Sequence, residues 1–232
     1  MPVAVLVDGA FFLHRYARTY PGGATHTPAQ VAKELHKICL KHSNRDSQLG
    51  DRRYNDLYRV FYYDCPPLEK KAHHPLTKRA IDFSKSPEAR FRLQLFEELK
   101  QLRKVALRLG HLQGDLTWNI RSQRVKELLS GTITVAGLKE EDLIHDVRQK
   151  GVDIKIGVDI TSLALKKQVD RIVLIAGDAD FVPAARLARR EGIDFILDPM
   201  WNHIAPSLFE HIDGLMSQCP KPTKFDSASS TT

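Results

Sequence analysis

Little in this sequence invites thiol chemistry. Its three cysteines, Cys39, Cys65 and Cys219, are odd in number, far apart and form no CxxC pair, so neither a disulfide framework nor a thiolate zinc site is expected. Long apolar runs are missing too. No segment approaches the roughly 18 residues of a membrane helix, and MPVAVLVDGAFF has no basic region ahead of its apolar stretch. The expectation is a cytoplasmic protein with no membrane partner. No GxGxxG, no GxxxxGK followed by Ser or Thr, and no GxSxG occurs, which argues against dinucleotide binding, P-loop chemistry and the serine hydrolase elbow. Acid is also in deficit: 28 Asp and Glu stand against 35 Lys and Arg, a formal net charge of +7 and a pI near 9.3. Such a balance favours polyanionic partners, because each cation set on a phosphate releases a condensed counterion.

What is present, in 232 residues of which 42% are hydrophobic, is enough for one sizeable core. A single domain over residues 1–218 is expected, with a tail over 219–232 whose polar KPTKFDSASSTT predicts disorder. Val3 to Val7 is a short apolar run closed by Asp8-Gly9, a buried strand. Pro28 to His42 has helical spacing, and Leu57 to Tyr63, rich in aromatic and β-branched residues, is a second strand ending at Asp64. A polar, basic stretch of about 68–90 predicts an insertion or mobile loop. Ala89 to Arg103 predicts a helix. Val105 to Leu112 and Leu116 to Ile120 together suggest a hairpin insert of about 105–122, followed by a linker to about Leu138. The last third is clearest: helix Val152 to Lys167, strand Arg171 to Ala176, loop Gly177 to Asp180, helix Phe181 to Arg190, strand Ile193 to Leu197. Alternating strands and helices imply a mainly parallel sheet covered on both faces.

The carboxylates fall where such sheets bind ligands. Asp8, Asp64, Asp178 and Asp198 close predicted strands, and Asp180 follows two residues after Asp178. On the helix from Val152, the apolar stripe of Val152, Ile156, Ile160 and Leu163 is flanked by Asp153 and Asp159. Like charges crowded at one edge repel unless a cation is shared. Oxygen donors without matching His or Cys favour Mg2+ or Mn2+, and a water activated by such an ion can attack a phosphodiester. Each acid also has a plainer role, since Asp-Gly and Gly-Asp-x-Asp occur as turns and helix caps. Asp64 before Cys65-Pro66-Pro67 and Asp198 before Pro199 are the most turn-like. His73 and His74 lack a third ligand and read as solvated or phosphate-facing. Arg186, Arg189 and Arg190 read as the wet face of an amphipathic helix, and Trp201 as a loop aromatic able to stack on a base or to cover core.

Three motifs, VLVDGAFF, QKGVDIKIGVDITSLAL and VLIAGDADFVPAARLARREGIDFIL, together resemble the NYN domain, a branch of the PIN-like nucleases, and within it the bacterial LabA-like group. The resemblance implies a three-layer α/β/α sandwich, metal-dependent RNA cleavage with Mg2+ or Mn2+, and a site of Asp8, Asp153, Asp178 and Asp180, with Asp159 a further metal acid. Two positions depart from the family pattern. Ala10, Phe11 and Phe12 stand where many NYN domains carry an asparagine, and Ala176 stands where a serine or threonine commonly precedes Gly-Asp.

The leading expectation is a metal-dependent endoribonuclease on single-stranded RNA, whose backbone Lys70, Lys71, Lys78 and Arg79 would hold and on whose bases Trp201 could stack. The alternative is a noncatalytic RNA-binding or regulatory module of the same fold. A small-ester phosphatase lacks the second aspartate such enzymes need, because Ala10 holds that position. The oligomeric state stays open, a homodimer included.

Overall fold

The computed structural model describes residues 1–43 and 56–222. Most of the expected tail, 223–232, lies outside them. In chain order the elements are β1 (Val3–Asp8), α1 (Gly9–Thr19), α2 (Pro28–Ser43), β2 (Leu57–Asp64), β3 (Lys71–His73), β4 (Ala80–Asp82), α3 (Pro87–Gln101), β5 (Val105–Leu109), β6 (His111–Ile120), α4 (Ser122–Leu129), β7 (Leu143–Lys150), α5 (Val152–Leu165), β8 (Arg171–Ile175), α6 (Val182–Arg190), β9 (Asp194–Asp198), α7 (Pro206–Phe209) and β10 (Gly214–Leu215). They divide into two compact units. The first comprises Met1–Asp64, Gln94–Gly110 and residues from Gly151 onward; the second comprises Cys65–Leu93 and His111–Lys150.

The first unit is a three-layer α/β/α arrangement around a six-stranded sheet of order β10-β9-β8-β1-β2-β5, every neighbouring pair parallel. Its strands are apolar runs because both faces are covered, as parallel sheets require. Val3 to Val7 are at most 3% exposed, and Ile172 to Ile175 at most 1%. Helix α5 packs across β1, β2 and β5 and against α6, while α2 lies on β1 and β2. Val152, Ile156, Ile160 and Leu163 of α5 are buried, which is the stripe that the spacing predicts.

One buried polar pair closes this core. Asp198, wholly buried at the end of β9, accepts from His42 Nε2 at 2.8 Å and from the backbone amides of Met200 and Gln218 at 2.8 and 3.2 Å. A buried acid away from bulk water needs hydrogen-bond donors, and here an imidazole and two amides supply them.

The second unit is built of antiparallel pairs, β3 with β4 and β6 with β7. Here the sequence reading is corrected at three places. Val105–Leu109 is no hairpin arm but the edge strand of the parallel sheet, paired with β2. Its supposed partner segment lies in β6, which pairs with Leu143–Lys150, and the linker contains the helix α4. The basic stretch of 68–90 holds the short hairpin β3–β4. Three-residue strands and half-exposed strands of mixed polarity carry no apolar run, so their period is weak in the sequence.

Candidate functional site

The chain leaves β1 toward β2 and returns to β8, on the other side of β1, only in its last third. That reversal opens a crevice beyond the strand carboxyl ends. Asp8 ends β1 in register with Tyr63 of β2, one residue before Asp64. On the other flank Val7 pairs with Ile175, after which Ala176-Gly177 lead to Asp178. Both acids at this switch are helix caps. Asp8 Oδ1 accepts from the Phe11 amide at 3.1 Å at the start of α1, and Asp178 Oδ1 accepts from the Asp180 amide at 3.1 Å at the start of the 3-10 turn Ala179–Phe181. Two glycines permit this approach. A Cβ on Gly9 would sit 2.7 Å from the Tyr63 carbonyl oxygen, and one on Gly177 would sit 2.5 Å from the Phe11 ring.

The electrostatics link five aspartates: Asp8, Asp64, Asp153, Asp178 and Asp180. Burial pushes the Asp8 carboxyl up to about 6; the Phe11 amide opposes this, and the charges of Asp153 and Asp64 add to it. Asp153, in the first turn of α5, is raised by loss of water and then by Asp178 and Asp180. Asp153 and Asp180 also share a groove of about 950 Å3 between α5 and α6, walled by Ile154, Val158, Pro183 and Leu187. Carboxylates that raise one another lack a full complement of cations. Among the described residues, however, no three His, Cys, Asp or Glu side chains converge closely enough to hold a metal ion. Hard oxygen donors suit Mg2+ or Mn2+, but in this arrangement they do not form a ready-made coordination sphere.

Asp159 is engaged elsewhere. Tyr63 donates its hydroxyl to Asp159 Oδ2 at 2.7 Å, and Arg108 Nε donates to the same oxygen at 3.2 Å while its guanidinium lies 5.1 Å from the centre of the Phe61 ring. Asp64, 1% exposed, is close enough to Asp8 to repel it, and the Tyr62 hydroxyl donates to it at 3.4 Å. Asp198 serves the buried pair with His42. Sequence reading did not connect His42 with Asp198, or Tyr63 and Arg108 with Asp159, since their partners are 156, 96 and 51 residues away. For Tyr63 a signal existed: Phe61 and Tyr63 alternate onto one face of β2, beside Ala106 and Arg108 of β5.

The expected nucleic-acid residues divide between the units. Lys70, Lys71 and Lys78 are exposed on or beside the β3–β4 hairpin, while Arg79 is paired with Glu140. Trp201, in the first unit, is 44% exposed; its indole donates to the Cys219 carbonyl at 3.0 Å and the Lys221 ammonium lies 5.4 Å from the ring centre. His74 is neither solvated nor phosphate-facing. It is 2% exposed, its Nδ1 faces the amides of Leu76 and Thr77 at 3.3 and 3.4 Å, and its Nε2 lies 3.2 Å from the Glu140 carbonyl. Backbone groups at both ring nitrogens make this a structural imidazole.

Among curated proteins, an uncharacterized protein of Methanocaldococcus jannaschii is 30% identical over 91 residues, 32% of this chain and 38% of the relative. The chain thus spans well under half the length of that relative. Among solved structures, a protein of unknown function from Vibrio parahaemolyticus aligns over 94% of this chain and 92% of its own, with 15% identity and a TM-score of 0.43. The sequence profile of the NYN domain matches residues 93–213, more than half of the chain. The chain belongs to the NYN domain family, within the PIN-like nuclease superfamily.

Proposed function

We propose that this protein is an RNA-binding module of the NYN class, holding single-stranded RNA through exposed cations in the cytoplasm and keeping an acidic sheet edge that is not assembled for turnover. One observation carries this reading: Asp8 is raised by Asp153 and Asp64, and Asp153 by Asp178 and Asp180, yet no three of the described donors converge on a point. Ala10 and Ala176, at positions where the NYN pattern implies polar residues, thin the polar surroundings of the edge further. The net charge of +7 and the exposed Lys70, Lys71 and Lys78 supply phosphate contacts that need no metal. Residues 1–218 are read as one NYN domain that carries the second unit as insertions, and the order of the three motifs supports the LabA-like group.

A second reading, a Mg2+- or Mn2+-dependent endoribonuclease, is favoured by a specific observation. The four aspartates that the NYN resemblance implies are all present in the sequence, and Asp8 and Asp153 are raised by neighbouring acids, which a shared divalent ion would relieve. Asp8, Asp153, Asp178 and Asp180 would then be its ligands. The two readings separate in one assay on a labelled single-stranded RNA, with wild type and Asp178→Asn, first in EDTA and then with Mg2+ or Mn2+. The binding module gives salt-sensitive affinity in both proteins and intact RNA throughout. Cleavage by wild type alone, abolished by EDTA, establishes the nuclease instead.

A further inference from the structure

The second unit contains a cleft of about 450 Å3 whose lining includes none of the aspartates of the sheet edge. It is lined by Pro66, Pro67, Phe83, Glu88, Arg92 and His145 among others. Two of its walls are rings. Phe83 and His145 lie 4.8 Å apart at an interplanar angle of 51°, which makes a corner rather than a parallel slot. Behind His145 the run continues to Trp118 at 6.3 Å, and from Trp118 to the buried His74 at 4.9 Å. Because His74 is fixed by backbone groups on both ring nitrogens, the row is anchored at its inner end. At the outer end Phe83 is half-buried and His145 exposed.

We propose that this cleft binds one unpaired base of single-stranded RNA, stacked in the corner of Phe83 and His145; this rests on the RNA-binding reading above and gives that binding a second, base-contacting site. Four features favour a nucleobase over a purely apolar occupant. Two tilted rings line the cleft, and stacking on aromatics is tolerant of base identity. The rim is polar: Glu88 brings an acceptor for exocyclic amines and Arg92 a fixed positive charge. Ser86 Oγ accepts from the Ala89 amide at 3.1 Å, which leaves its hydroxyl proton to donate. Finally, between Cys65 and Leu93 seven lysines and arginines outnumber three acids, so the chain around the cleft suits a phosphate-linked ligand. The size agrees, since clefts of roughly 300 to 1,000 Å3 hold ligands as large as a nucleotide.

The test uses the whole chain in EDTA, a single-stranded RNA oligonucleotide carrying 2-aminopurine, and an abasic ribose-phosphate strand of the same length. Wild type is expected to quench the 2-aminopurine and to bind the abasic strand about tenfold more weakly, the scale of one stacked base. Phe83→Ala loses the quenching and the discrimination, His145→Ala loses part of both, and Phe83→Tyr restores them. Equal wild-type affinity for the two strands overturns the proposal without any variant. Discrimination that persists in folded Phe83→Ala and His145→Ala proteins overturns it as well. Failure of wild type to bind either strand would instead remove the RNA-binding reading itself.

Discussion

The sheet edge of the first unit and the body of the second treat their acids in opposite ways. In the second unit Asp142 is held below the usual carboxylate range by the Lys139 amide and by Arg124, which also holds Glu127 low; Arg79 pairs with Glu140. At the edge, Asp8 and Asp153 are raised, by burial and by one another's neighbourhood of acids. Paired acids hold a structure together, whereas acids left facing each other weaken the fold that carries them. This difference marks the edge as the place where the fold has been kept from its electrostatic optimum.

Packing differs as sharply between the two units. Leu174, fully buried in β8, should cost about 3 to 4 kcal/mol on substitution by alanine, whereas Leu129→Ala, at an 84% exposed position of α4, should stay within about 0.5 kcal/mol. Chemical denaturation of both variants reads this directly, and equal losses would break the contrast. His42→Ala removes the imidazole from wholly buried Asp198 and should cost about 3 kcal/mol, measured in the same way. Tyr63→Phe takes one donor from Asp159 but leaves Arg108, so a loss of about 1 kcal/mol is expected.

The pH dependence sharpens the contrast between the acids. An acid raised in the folded state binds its proton more tightly there than in the unfolded chain. For Asp8 the native state therefore holds the extra proton between about 4 and 6, and its contribution to stability falls as pH rises through that window. Asp8→Asn keeps an N-cap residue and should raise the thermal midpoint at pH 7.5 by a few degrees, roughly 1 kcal/mol, with no gain at pH 4. Asp142 has the opposite sign: its lowered carboxyl stabilises the fold above about 3.8 and that contribution is lost as pH falls further. Asp142→Asn should accordingly lower the midpoint at pH 7.5. Thermal scans at the two pH values check both signs.

The same division governs what could be read from the sequence. Strands buried on both faces announce themselves as apolar runs, so β1, β2, β8 and β9 and the helices α2, α5 and α6 were legible, and with them the parallel sheet and the position of Asp8 and Asp178 at its edge. The first helix α1 was missed because Gly9-Ala10-Phe11-Phe12 continues the apolar run of β1 without a break. In the second unit the mixed polarity of β6 and β7 hid their pairing, and Val105–Leu109 was assigned to a local hairpin because nothing local reveals a partner 45 residues earlier. The site was legible as types and spacing of acids. Convergence was not, because Asp8 and Asp178 spend one oxygen each on capping, and Asp159 lies with Tyr63 and Arg108.

Thermal unfolding at pH 7.5 with increasing Mn2+, comparing wild type with the Asp153→Asn/Asp178→Asn double variant, shows whether the edge acids repel one another without forming a ready metal centre. The midpoints are expected to respond alike in both proteins, within about 1 °C at millimolar ion. A saturable rise of several degrees in wild type, absent from the double variant, would contradict this and make the edge a metal-binding nuclease site.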